Sequence, residues 1–88
     1  MRLVVQVTQF KRDVKLAQKR RKDMSKLRDL VLLLAEGEPL PAAYKDHSLS
    51  GDWKHHRDCH IEPDWLVIYK IDGNDVYLVR TGTHADLF

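Results

Sequence analysis

The sequence has one cysteine, Cys59, so no disulfide can form within the chain. Its 88 residues must therefore be held by a hydrophobic core alone. Chains of this size bury roughly 60 % of their unfolded surface, which is enough for one modest core without disulfide or metal staples. Long hydrophobic runs are also missing. The longest, Leu30 to Ala35, falls far short of the ~20 residues a membrane span needs. The N-terminal stretch MRLVVQVTQFKRD is broken by Gln6 and has neither a signal-peptide apolar region nor a small-residue cleavage site. A lone thiol and no export signal lead to the expectation of a cytoplasmic protein with no membrane partner. Repeats, low-complexity tracts and linkers are absent as well, which predicts a single domain over residues 1–88.

Acidic residues are scarce in one place only. Between Lys11 and Arg28 lie nine basic residues and two acidic ones, a segment charge of +7, while the remainder carries −5. The net +2 hides this split. A polyanionic partner fits such an asymmetry, and so does a helical face that simply points at solvent.

Apolar periodicity supplies the elements. Arg2–Val7 (RLVVQV) is short and β-branched and reads as a strand. Thr8 is a candidate cap for a helix in which Phe10, Val14 and Ala17 recur at helical spacing. A second helix has Met24, Leu27, Val31 and Leu34 on one face, widened by Leu30 and Leu33, with Asp23 as N-cap and Gly37 just past its end. Only a few residues separate the two, which predicts a helical hairpin. Glu38–Gly51 contains two prolines and no period and reads as an ordered loop. Three strands follow: Trp53–Ile61, mostly polar; Trp65–Ile71, nearly continuous apolar and hence a central strand covered on both sides; and Val76–Thr81. Glu62-Pro63-Asp64 and Asp72-Gly73-Asn74-Asp75 are the turns. The order β-α-α-β-β-β predicts an α+β fold, a helical hairpin packed on a small antiparallel sheet.

All five histidines, His47, His55, His56, His60 and His84, lie in the C-terminal half. Histidine is the side chain best suited to proton transfer near neutral pH, so the cluster points to acid–base chemistry. A histidine on a polar strand is also an ordinary surface residue. His60 and Asp64 flank a hairpin turn and His84 follows the last strand; the pattern leaves open whether His84 reaches His60. His55 and His56 are adjacent and point to opposite faces. The Cys59/His spacing matches no zinc motif, and nothing around Cys59 marks an activated nucleophile. Trp53 and Trp65 suit either a core or a base-stacking surface. Phe88 either pins the tail or hangs free.

Four segments together carry a resemblance: RDVKLAQKR (Arg12–Arg20), PLPAAYKDHSLSGDWK (Pro39–Lys54), RDCHIEPDWLVIYK (Arg57–Lys70) and RTGTHADLF (Arg80–Phe88). In this order they resemble the YafQ branch of the RelE/ParE toxin superfamily, from about Phe10 to Phe88. The β-α-α-β-β-β reading agrees with that family's fold. The resemblance implies a type II toxin, an endoribonuclease that enters the ribosomal A site and cleaves messenger RNA there. It also implies a DinJ/RelB-like antitoxin, with operator DNA bound only through the antitoxin complex. Carried over residue by residue, it implies catalytic roles for His47, His60, Asp64 and His84, with Trp65, Arg80 and Phe88 contacting substrate. His55 and His56 fall at variable positions and receive no role. The N-terminus is a few residues shorter than the family pattern.

The implied reaction is a metal-free transphosphorylation that needs no cofactor. A base, His60 or Asp64, takes the ribose 2′-OH proton, His84 protonates the leaving 5′-oxygen, and Arg80 or the helical cations meet the phosphate charge. His47 would position substrate or share in proton transfer. The basic helices, through Lys15, Lys19, Arg20, Arg21 and Lys22, are expected to dock on ribosomal RNA. A gyrase-poisoning toxin of the ParE kind and a non-catalytic nucleic-acid-binding regulator are the alternatives from other functional classes.

Overall fold

The computed structural model describes all residues from Met1 to Phe88. The elements run β1 (Leu3–Gln6), α1 (Thr8–Lys19), α2 (Met24–Glu36), a 3-10 turn at Ala42–Tyr44, β2 (His47–Ser48), a second 3-10 turn at Gly51–Trp53, β3 (Arg57–Glu62), β4 (Trp65–Asp72), β5 (Asp75–Gly82) and α3 (His84–Leu87). One five-stranded sheet has the order β1-β5-β4-β3-β2. No helix is long and apolar enough to cross a membrane.

β4 is central, and its apolar run is explained by cover on both faces. Phe10, Ala17, Leu27, Leu30 and Leu34 of the helices meet Cys59, Trp65, Val67, Tyr69, Val76 and Leu78 on one face. On the other, Leu66 and Ile68 form a smaller cluster with Leu87 of α3, joined by Leu49, Trp53 and Val79. The alternation of Trp65, Val67 and Tyr69 with Leu66 and Ile68 is the period-2 rule of a strand, with both phases buried.

Capping follows the sequence at α2. The Asp23 carboxylate accepts from Ser25 N at 3.0 Å. Gly37 takes the left-handed conformation at φ 79° and donates to Leu34 O. At α1 the expectation fails. Val7, not Thr8, is the N-cap, and no side chain caps there. The cause is that β1's extended backbone continues to Val7, whose N–H donates to Leu78 O at 3.2 Å, so Thr8 is already helical. α1 ends at Lys19, so Arg20–Lys22 lie outside it: Arg20 is the C-cap and Arg21 sits at φ 60° in the turn to α2.

The sheet is antiparallel from β2 to β5, but β1 runs parallel to β5, with Leu3 opposite Asp75 and Gln6 opposite Leu78. The sheet is thus mixed at one edge. β2 occupies the other edge, so β1 can satisfy its backbone only beside β5, and the helical crossover sets its direction. Within the loop at residues 38–51 a two-residue strand, β2, pairs with β3. β3 starts later than its sequence suggests, because residues 51–56 form a 3-10 turn and a bend with His55 at φ 71°. Ile61 is an additional residue in the β3 ladder and Val79 in β5, so β3 bulges at the end of the sheet that carries His60 while β5 bulges at mid-strand.

Candidate active site

The register decides which histidines meet. His60 on β3 is opposite Leu66, and Leu66 is opposite Gly82, so the end of β3, the start of β4 and the end of β5 share one end of the sheet. α3 begins two residues after Gly82 and brings His84 back over this corner. The His60 and His84 ring centroids are 5.5 Å apart. β2 brings in His47, whose ring centre is 6.4 Å from that of His60. Three of the five histidines therefore cluster. His55 is exposed in its bend, and His56 packs edge-on against Trp53.

Each of the three rings has its Nδ1 facing an oxygen. His84 Nδ1 is 2.6 Å from Asp64 Oδ1, which also accepts from the His84 backbone N–H at 2.8 Å. His60 Nδ1 faces Pro63 O at 3.3 Å. His47 Nδ1 faces Lys45 O at 2.9 Å and Asp58 Oδ1 at 3.0 Å. Oxygens of this kind accept only, so Nδ1–H donates in each case and every Nε2 is left without a protein partner. The two contacts of His47 compete for one hydrogen. The carbonyl is the aligned acceptor, and Asp58 Oδ1 has no hydrogen bond of its own.

Asp58 is the residue that sequence reading missed. It lies two positions before His60 on β3, hence on the same face, and is only 3 % exposed. Burial pushes its carboxyl above the usual carboxylate range, opposed by the positive potential of His47, His60 and His84. That i, i+2 relation in Asp58-Cys59-His60 was the available signal. Asp64 behaves oppositely: exposed, it is held below the usual range by the His84 backbone N–H and then by the ring.

Other anticipated site residues are placed elsewhere. Trp65 is 1 % exposed, and its Nε1 donates to Thr81 Oγ1 at 3.0 Å. Its ring packs in the core with Lys22 lying over it, and it borders a cleft beside α1 together with Arg80. Arg80 is engaged by buried Asp13, through Nε at 2.7 Å and Nη2 at 3.4 Å, with Nη1 left open. Phe88 is 60 % exposed; Leu87, not Phe88, pins the tail. Of the five anticipated docking cations, Arg20 is bound to Asp86, and Lys22 bonds Glu62 at 3.3 Å while lying over the Trp65 ring. Lys15, Lys19 and Arg21 are exposed and make no ion pair. A cleft of about 230 Å³ beside α1 is lined by Asp13, Arg20, Lys22, Arg80, Thr83 and Asp86, among others.

Cys59 is fully buried and burial pushes its thiol up, which rules out a thiolate nucleophile. His47, His60 and His84 are the donors that would suit a divalent ion, but no three histidine, cysteine or carboxylate groups approach closely enough to share one.

A helical layer on a meander, with three imidazoles and two carboxylates at one corner, defines a small α+β protein whose clustered side chains are of the kind suited to proton transfer. The chain belongs to the YafQ family of bacterial toxins of type II toxin–antitoxin systems, whose family model matches residues 2–88. It is 58 % identical to the mRNA interferase toxin YafQ of Escherichia coli K12 over 81 residues, which is 91 % of this chain and 88 % of that one. Its fold is similar to the crystal structure of YafQ from E. coli BL21(DE3), with a TM-score of 0.95 at 53 % identity, covering 100 % of this chain and 99 % of that one. It is also similar to a chain of the E. coli DinJ–YafQ complex, with a TM-score of 0.93 at 54 % identity and the same coverage.

Proposed function

We propose that this toxin is an mRNA interferase that cleaves messenger in the ribosomal A site by metal-independent acid–base catalysis and is neutralised by a DinJ-like antitoxin. The observation that carries the reading is the trio of imidazoles, with His60 within 6.4 Å of both others, each with Nδ1 engaged and Nε2 open. Proton removal and proton return need two such groups on either side of one phosphate.

In this reading His60 Nε2 takes the proton of a ribose 2′-OH. The 2′-oxygen bonds to phosphorus, the bond from phosphorus to the 5′-oxygen breaks, and His84, entering the step as the imidazolium with Nδ1–H on Asp64, gives its Nε2 proton to the leaving oxygen. A 2′,3′-cyclic phosphate and a 5′-OH result. Asp64 is an orienting group here, because its Oδ1 is occupied by His84. His47 holds the scissile phosphate from the third side. The open Nη1 of Arg80 is the candidate contact to phosphate charge, and exposed Phe88 the candidate platform for a base.

His60→Ala and His84→Ala test it with toxin stripped by EDTA and dialysed, then added to translating ribosomes in magnesium buffer. Each folded variant is expected to lose about 10²-fold or more in cleavage rate, and wild-type ends should be cyclic phosphate and 5′-OH. Wild-type rates in either variant would overturn the assignment. Loss of cleavage by the stripped wild-type toxin, restored by adding back a transition-metal ion, would overturn metal independence. No message cleavage with inhibited gyrase would favour the ParE-like alternative.

A further inference from the structure

α3 has four residues, too few to be stable alone. Yet it carries His84 and sets the direction of the His84 N–H towards Asp64. Three tethers hold it. Leu87 is buried against Leu66 and Ile68. Thr83 and Asp86 form a reciprocal capping box, Asp86 N donating to Thr83 Oγ1 at 3.1 Å and Thr83 N to Asp86 Oδ2 at 2.9 Å. The third tether comes from the opposite side of the chain. The Arg20 guanidinium donates to Asp86 through Nη1 at 2.6 Å and Nη2 at 3.2 Å, a two-pronged pair across 66 residues. Gly82 makes room for it, since a Cβ there would lie 2.8 Å from Asp86 Oδ2.

We infer that the Arg20–Asp86 pair is a positioning clamp for His84, so that Arg20 acts on the reaction through α3 and not by gripping nucleic acid. The clamp ties the basic α1–α2 turn to the helix that carries the proton donor, and so rests on the role proposed for His84. Both prongs of Arg20 are committed to one carboxylate, which a docking cation would leave free. The depressed titration of Asp64, caused chiefly by the His84 N–H, reports whether α3 is seated.

The test uses the full chain with Arg20→Gln, Asp86→Asn and both together. Each single variant should slow single-turnover cleavage about fivefold, the scale a partly exposed ion pair can supply. Ribosome affinity and its salt slope should not change. The double variant should be no slower than either single one, because both substitutions break the same ion pair. Arg20→Lys should recover part of the rate. By carbon-13 NMR, the Asp64 carboxyl should titrate nearer its ordinary value in both single variants. A weakened, flatter salt dependence in Arg20→Gln together with wild-type cleavage in Asp86→Asn would overturn the inference and make Arg20 a docking residue. Unchanged cleavage and an unchanged Asp64 titration in both would overturn it as well. If His84→Ala cleaved at the wild-type rate, the catalytic reading would fall, and the Asp64 titration would still decide whether the clamp seats α3.

Discussion

At the scale of single residues, three carboxylates do different work because their surroundings differ. Asp13 is buried on α1 and accepts from Arg80, from Thr81 N at 3.1 Å and from Gln9 at 3.0 Å. It is satisfied, and it fastens α1 to β5. Asp64 is exposed and oriented by His84. Asp58 is buried with one oxygen unpartnered, which makes its charged form costly. A folded-state titration above the unfolded one means that the native state holds this proton more tightly. Stability from this group is thus present at low pH and lost as pH rises through the raised value. Asp58→Asn is therefore expected to raise the melting temperature at pH 7.5. The gain should shrink as pH falls through the carboxylate range, where the wild-type group takes up its proton. Calorimetry across pH checks this; a lower melting temperature at pH 7.5 would show that the charge is compensated. The same variant should cleave more slowly, since the carboxylate beside His47 would be removed.

At the scale of elements, the site is built from pieces that could not hold their shape alone. β2 has two residues and α3 four. His47 is anchored through its neighbour Asp46, whose carboxylate accepts from Arg57 Nη2 at 3.0 Å and from the buried Tyr69 hydroxyl. His84 is anchored through Asp86. Only His60 sits on a full strand. The close approach of α3 to β5 depends on Gly82, because an alanine Cβ would meet Asp86 Cβ at 2.9 Å as well as its oxygen. Gly82→Ala is expected to push α3 outward and to cost about 1–3 kcal/mol, read as a lower urea midpoint, with cleavage reduced further than in Arg20→Gln. An unchanged midpoint with unchanged cleavage would show that α3 has slack. The capping box that starts α3 was open to sequence reading, although it went unread, as Thr83-His84-Ala85-Asp86, a hydroxyl residue followed three positions later by an acidic one. Its partner Arg20, far away in the chain, was not.

At the scale of the whole molecule, the charge split survives folding but is smaller than the sequence suggests. Arg20, Lys22, Lys26 and Arg80 are matched by Asp86, Glu62 and Asp13 across the helix–sheet boundary. Lys11, Arg12, Lys15, Lys19, Arg21 and Arg28 make no ion pair and remain for a polyanion, and Lys15, Lys19 and Arg21 are the three of these expected to dock on ribosomal RNA. Replacing these three by Gln should weaken ribosome affinity. The slope of log affinity against log salt should fall by about one for each phosphate that is no longer neutralised. The single-turnover rate on bound ribosomes should be unchanged. An unchanged slope would mean that the toxin docks by another face.

The sequence by itself determined the α+β class, both main helices, the α2 caps, the central position of β4 and the half of the chain that holds all five histidines. These rest on local rules: apolar period, capping residues, turn signals and histidine's titration range. Its resemblance to known toxins named His47, His60 and His84, the three histidines that the fold brings together. Only the tertiary structure decided that β1 runs parallel to β5, that Trp65 is core, that Asp58 joins the site and that Arg20 is held by Asp86. Each of these is a pairing between residues distant in the chain, set by strand register and by which face an element turns to its neighbour. The interactions of one residue with its near neighbours in sequence carry no information about such pairings.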